Sequence, residues 1–121
     1  TEPLFTNNEF HNNGLTLDPY LKDYGRMQIT NNVNDSLKFK VPTLRNIQFT
    51  PPYMHDGRFE SLKAVITHYS SGITHSSTLA ENLKNNLKLT HKEEVDLLVF
   101  LRTLTDKDFL FNNRFSYPYN N

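Results

Sequence analysis

Two places in this chain carry side chains that could do chemistry, Met54-His55-Asp56 and Tyr69. An adjacent His and Asp serve metal-dependent phosphohydrolases, where one helix supplies both ligands. Here Gly57 follows at once and puts the pair in a turn. His11, His68, His75 and His91 lack the i, i+4 spacing that sets two imidazoles on one helical face. The sequence therefore favours His55 hydrogen-bonded within a tight turn and Asp56 capping the helix that follows. Met54 and Tyr69 offer other chemistry. A thioether can ligate iron and raise its potential, and a phenolate can hold iron in the ferric state. Each residue type also packs well in a core. Arg45 fits either a plain surface cation or the bidentate partner of a buried carboxylate. Ser70-Ser71 and Ser76-Ser77 lack the strand-turn-helix context of a nucleophile elbow, and four scattered glycines make no phosphate cradle.

The elements that must position these residues follow from turn chemistry and periodicity. Residues 1–36 hold turn signals at Asn7-Asn8, Asn12-Asn13-Gly14, Asp18-Pro19 and Asn31-Asn32, with Leu4, Phe5, Phe10, Leu15 and Leu17 as scattered apolar anchors. Asp18 to Tyr24 is expected as a short helix with Pro19 at its first position and Gly25 as its C-cap. Phe39-Lys40-Val41-Pro42 is expected to be extended, because the residue before proline avoids the α region. Thr43 to Ile47 is expected as one helical turn. In Thr50-Pro51-Pro52-Tyr53 two backbone donors are missing, which leaves carbonyls available to a ligand or ion.

Phe59, Leu62, Val65, Ile66 and Tyr69 share one helical face, ending near Ser70-Ser71-Gly72. Leu79, Leu83, Leu87 and Leu89 indicate a broken helix within 73–89. Thr90-His91-Lys92-Glu93 is a capping box, which opens the strongest helix of the chain. Val95, Leu97, Leu98, Phe100, Leu101 and Leu104 form its broad apolar face, and it should stop near Thr105-Asp106. The tail from Phe109 through Phe111, Phe115, Tyr117 and Tyr119 is expected to lie as a strap over the body. The fold class is mostly α with long loops.

The 121 residues bound the chain to one small domain over 1–121. An apolar content of 36% is low, and nine Phe and six Tyr partly compensate. That balance suits a small domain wrapped around a cofactor or partner. A net charge of zero gives no electrostatic footprint for nucleic acid. No apolar run approaches the length of about 18 residues that a membrane span needs. Zero cysteines exclude disulfides, thiolate metal sites and thioether attachment of a cofactor within this chain.

The run Phe39 to Ile47, then Pro52-Tyr53-Met54-His55-Asp56-Gly57-Arg58-Phe59, then Leu62, Val65-Ile66, His68-Tyr69 and Ser71-Gly72, closely resembles the C-terminal haem domain of bacterial di-haem cytochrome c peroxidases and their MauG-like relatives. Thr1 to Leu15 is similar to the segment directly behind that family's Cys-x-x-Cys-His motif. Asp23 to Arg26 and Asp35 fit the loop that follows, and Leu89 to Asp106 resembles the closing helix. The resemblance implies a cytochrome-c-like fold around one haem c, and most of a C-terminal domain of a larger two-domain protein.

In that family this haem relays electrons from a small donor protein, a cytochrome c or a cupredoxin, to a second haem in an N-terminal domain. There hydrogen peroxide is reduced to water, or, in MauG-like members, a partner protein is oxidatively modified. The resemblance also implies periplasmic location, because covalent haem attachment in bacteria is completed outside the cytoplasm. By residue-to-residue transfer Tyr69 is the distal ligand, which points to the MauG-like variant. Met54 is the less favoured candidate and fits better as a soft filler on the ring. His55 and Arg45 transfer as near-haem residues. The backbone carbonyls of Thr50 and Pro52 match calcium-binding positions, and oxygen donors suit that cation. The departure from the family is the missing Cys-x-x-Cys-His segment, which would end just before Thr1 and carry both cysteines and the proximal histidine. It favours a piece of a longer protein, for which weak or no haem binding and an oligomeric contact in the vacant pocket are expected. It also leaves open an alternative, a haem-free helical interaction module derived from this scaffold.

Overall fold

The structure, a computed structural model, describes residues 4–85 and 87–115. Its elements are mainly helical. In chain order they are strand β1 (Phe10–His11), helix α1 (Met27–Thr30), strand β2 (Phe39–Lys40), helix α2 (Leu62–Ser71), helix α3 (His91–Thr103) and helix α4 (Lys107–Phe111). Short 3-10 turns lie between them, at Val33–Asp35, Ile47–Phe49 and Glu81–Leu83. β1 and β2 pair antiparallel, with Phe10 opposite Lys40 and His11 opposite Phe39.

The core sits where α2 crosses α3. Tyr53, Leu62, Ile66 and Leu101 are buried there, and Leu44, Ile47, Phe59, Val65, Leu98 and Leu104 pack around them. Each fully buried aliphatic side chain of this kind contributes about 1.5–3 kcal/mol. α2 begins where Ser61 Oγ accepts from Ala64 N–H at 3.2 Å. α3 begins at the expected capping box: Thr90 Oγ1 accepts from Glu93 N–H at 3.3 Å, and Glu93 Oε2 accepts from Thr90 N–H at 2.8 Å. A second buried group, Leu15, Leu79 and Leu83, lies under the long loops.

Several local expectations change in the folded chain. Asp18 to Tyr24 makes a single turn and no helix. Asp18 Oδ1 accepts from the N–H groups of Tyr20 and Leu21 at 2.8 and 3.0 Å, and Lys22 then takes φ +48°. Tyr20 is 92% exposed, so no tertiary burial offsets the cost of nucleating a helix there. The turn expected over 43–47 forms at Ile47–Phe49, because Asn46 adopts φ +59° and a helix cannot pass through it.

Around Leu79 and Leu83 only the Glu81–Leu83 turn is helical. Asn12 and Gly14 hold that segment open: their carbonyls accept from Ala80 N–H at 3.0 Å and Thr74 N–H at 2.8 Å. α3 buries a narrower stripe than its composition offers, and Val95, Leu97, Val99 and Phe100 remain exposed. It ends at Thr103, and Asp106 caps α4 by accepting from Phe109 N–H at 3.0 Å. Phe109 and Phe111 thus belong to a helix, with Phe111 edge-on to Phe49 at 5.7 Å. Tyr117 and Tyr119 of the expected strap lie outside the described residues. No helix among the described residues is long and apolar enough to cross a membrane.

Candidate functional site

Tyr53 and Phe59 close the Met-His-Asp-Gly run into a tight loop. Their backbones pair antiparallel, with Tyr53 N–H on Phe59 O at 2.7 Å. Tyr53 is buried and donates its hydroxyl to Ile47 O at 2.8 Å, which anchors the loop to the core. Inside the loop Gly57 takes φ +70° and donates to Met54 O at 3.3 Å. Met54 itself adopts φ +73°, a conformation uncommon for a residue with a side chain. Such positions persist where the surrounding structure holds them, and they cluster at functional sites.

The thioether of Met54 meets a residue far away in sequence. Asn13 donates Nδ2–H to Met54 Sδ at 3.3 Å. The Asn13 amide also acts on the Tyr69 hydroxyl. Burial pushes the Tyr69 hydroxyl above the usual phenol range, while the Asn13 amide favours the phenolate and pulls it back. Of the two iron-ligand candidates of the sequence, Met54 is thus in hydrogen-bond contact with Asn13, and Tyr69 feels the same amide.

Asn13 is fixed from both sides. Its neighbour Asn12 is 1% exposed, donates Nδ2–H to Ser76 Oγ and Thr78 Oγ1 at 3.0 and 2.8 Å, and accepts from Gly14 N–H at 2.8 Å. Gly14, at φ +72°, lies so close to residue 73 that a Cβ there would sit 2.5 Å from Ile73 Cγ2. The carbonyl of Asn13 accepts from His68 Nε2–H at 2.9 Å, so α2 is docked on this turn through a buried imidazole. The His68 ring stands edge-on to Tyr69 at 5.3 Å.

A second tie runs between the same two segments. Arg58 donates to Asp56 Oδ2 from Nε at 2.8 Å and from an Nη at 2.5 Å. It also reaches Thr16 Oγ1 and Thr16 O, each at 2.9 Å. Burial of Asp56 works against its charge, but the hydrogen bonds and charge of Arg58 outweigh it and hold the carboxyl below the usual range. Asp56 therefore orders the loop and does not cap α2; that role falls to Ser61. His55 stacks face to face on Phe39, with ring centroids 3.7 Å apart, where a hydrogen bond within the turn was expected.

The remaining candidates lie nearer the surface. Arg45 is about half exposed and stands 3.9 Å from Asp106 Oδ2, a loose pair that leaves its guanidinium fork available. Thr50 and Pro52 are exposed at either end of the Pro51-Pro52 segment. No group of three His, Asp or Glu side chains among the described residues could hold a metal ion. An open groove of about 590 Å³ runs along Ala64, Thr67 and Ser71 on the other side of α2, and Tyr69 does not line it.

Tyr69 and Met54 are the side chains here whose chemistry would suit a haem iron. A phenol and a thioether are both haem-iron ligands, and here the phenol is withdrawn from solvent while the thioether accepts from Asn13. The thioether attachments cannot come from this chain, which has no cysteine. Sequence reasoning missed Asn13 and His68. The Asn-Asn-Gly turn was the available signal, but nothing local says which amide turns toward the site.

No protein-family profile matches the chain. It is 38% identical to the cytochrome-c peroxidase IdrP1 of Pseudomonas sp. strain SCT, over 75% of this chain and 24% of that protein. It is 36% identical to the methylamine utilization protein MauG of Methylophilus methylotrophus, over 83% of this chain and 29% of that protein. The crystal structure of a MauG-like protein associated with microbial copper homeostasis superimposes with a TM-score of 0.76 at 37% identity, covering 93% of this chain and 37% of that one. The chain thus spans about a quarter to a third of the length of its relatives. Similarity at this level along most of the chain, in sequence and in three dimensions, makes it a member of the cytochrome-c peroxidase and MauG family.

Proposed function

We propose that this chain is the greater part of a cytochrome-c-like, electron-relay haem domain of a di-haem peroxidase or MauG-like oxidase. The observation that carries the reading is the meeting of Tyr69 and Met54 at Asn13, on a chain 35–38% identical to cytochrome-c peroxidases and MauG. When bound, haem c supplies one-electron chemistry. The residues of this chain hold and shield it. Tyr69 would hold the iron, and its phenolate would favour the ferric state and a lower potential than a thioether. That choice favours the MauG-like variant over a classical high-potential relay. Met54 would serve as a polarizable filler beside the bound group. His55, stacked on Phe39, and Arg45, loosely paired with Asp106, would lie near the haem. The Thr50 and Pro52 carbonyls would serve a calcium ion shared with the rest of the protein.

In the whole protein the electrons come from a small cytochrome c or cupredoxin. They pass to a second haem in an N-terminal domain, where hydrogen peroxide is reduced to water or a partner protein is oxidised. The reaction takes place in the periplasm. The test is the absorption and electron paramagnetic spectrum of the full-length, haem-loaded protein with Tyr69→Phe. Loss of a ferric phenolate signature, leaving an open or water-ligated iron, is expected. An unchanged low-spin spectrum would mean that Tyr69 only packs in the core.

A further inference from the structure

Asn13-Gly14 is the one Asn-Gly pair of the chain, and it lies in the turn on which α2 docks. Asparagine is thermolabile because the backbone nitrogen that follows it can attack its side-chain carbonyl carbon. Glycine in the next position leaves that nitrogen unshielded, since it has no Cβ and turns freely. In such a pair a bond forms between Gly14 N and Asn13 Cγ, and the Cγ–Nδ2 bond breaks. The proton of Gly14 N–H departs with the side-chain nitrogen as ammonia. Water then opens the cyclic imide at either carbonyl, which gives aspartate or isoaspartate at position 13.

Every group that this reaction must move is held in the folded chain. Gly14 N–H, the nucleophile, is buried and donates to Asn12 Oδ1 at 2.8 Å. Asn12 is itself fixed by Ser76 and Thr78. The leaving nitrogen of Asn13 donates to Met54 Sδ at 3.3 Å. The carbonyl between the two residues accepts from His68 Nε2–H at 2.9 Å, and Gly14 O accepts from Thr74 N–H at 2.8 Å. Gly14, at φ +72°, packs so close to Ile73 that the turn cannot swing without displacing it.

We propose that Asn13-Gly14 is a deamidation site kept closed by the folded turn, and that it reacts when the contacts to Asn12, Met54 and His68 open. Its products cannot rebuild the turn. A carboxylate at position 13 has no N–H to give Met54 Sδ, and isoaspartate lengthens the backbone where Gly14 has no space to spare. The reaction therefore marks irreversibly any chain whose turn has opened, and it does so beside Met54 and α2.

The experiment incubates the full-length protein in mildly alkaline buffer, folded and in urea. Residue 13 is followed by peptide mass spectrometry, with chromatographic separation of isoaspartate. Reaction through a transiently opened state runs at the unfolded-chain rate multiplied by the open fraction. In urea Asn13 should react faster than every other asparagine. In the folded protein it should react about a hundredfold more slowly than in urea, as three hydrogen bonds of ordinary net strength require. Met54→Leu, a swap of similar volume, removes the acceptor of the leaving amide and should raise the folded rate about threefold. Asn12→Ala frees Gly14 N–H and should raise it about tenfold or more. Circular dichroism on the same samples separates an opened turn from an unfolded chain. Asn13→Gln, whose longer side chain closes the ring poorly, should stay intact in urea.

A rate at residue 13 in urea no faster than at the other asparagines overturns the site. Equal rates in the folded protein and in urea overturn the lock. A folded rate unmoved by Met54→Leu overturns the part of Met54 in it, and one unmoved in a folded Asn12→Ala variant overturns the part of Asn12.

Discussion

Removing the guanidinium of Arg58 tests whether the Met-His-Asp-Gly loop is tied to the N-terminal segment as tightly as its geometry implies. Asp56 is the buried end of this tie, with its side chain 4% exposed against 26% for Arg58. Arg58→Met keeps most of the apolar stem but deletes the contacts to Asp56 and to both oxygens of Thr16. It leaves the carboxylate with the Arg58 backbone N–H at 3.2 Å. Breaking a fully buried pair costs about 3–5 kcal/mol; partial exposure of Arg58 lowers the expectation here to about 2–4 kcal/mol.

Equilibrium urea unfolding of the single variant, followed by far-ultraviolet circular dichroism, gives this number from the midpoint at constant slope. The double variant Asp56→Asn/Arg58→Met should lose less than the sum of the single variants, by about 1–3 kcal/mol, because it leaves no unpaired buried charge. A cost below about 1 kcal/mol for Arg58→Met, or strict additivity in the cycle, would make the pair an ordinary surface ion pair and refute the argument.

Ile66→Ala, at a side chain 3% exposed between Tyr53, Leu62 and Leu101, should destabilise the chain by about 3 kcal/mol in the same unfolding assay. Glu93 lies below the usual glutamate range, first because it accepts from Thr90 N–H and then because of the Thr90 hydroxyl. Its contribution to stability is therefore present above the ordinary glutamate pKa and is lost as pH falls through the folded value. Glu93→Gln should flatten that acid-side decline in a pH series of unfolding midpoints, and an unchanged slope would remove Glu93 from the account.

The two main helices were legible because their signals are local. Phe59 to Tyr69 has the helical period, and Thr90 to Glu93 has capping chemistry that works within one turn. Pro42 likewise marked the extended strand before it. Local rules failed where distant groups compete. Asp56 has the chemistry of a helix cap but is taken by Arg58, and Ser61 serves instead. Asp18 has cap chemistry as well, but the exposed segment after it buries too little to continue as a helix.

The candidate site divides along the same line. From sequence alone came Met54 and Tyr69 as iron-ligand chemistry, the loop that holds His55 and Asp56, the apolar face of α2, and, through resemblance, the family. Their meeting was decided only in three dimensions, by contacts that cross long stretches of chain. Asn13 reaches Met54 across 41 residues, and the Asn13 carbonyl receives His68 across 55. Asn12 and Asn13 are chemically identical neighbours. One is buried against Ser76 and Thr78 and the other faces Met54 and Tyr69, because successive side chains leave a tight turn in different directions and only packing against α2 and the 73–80 segment selects between them.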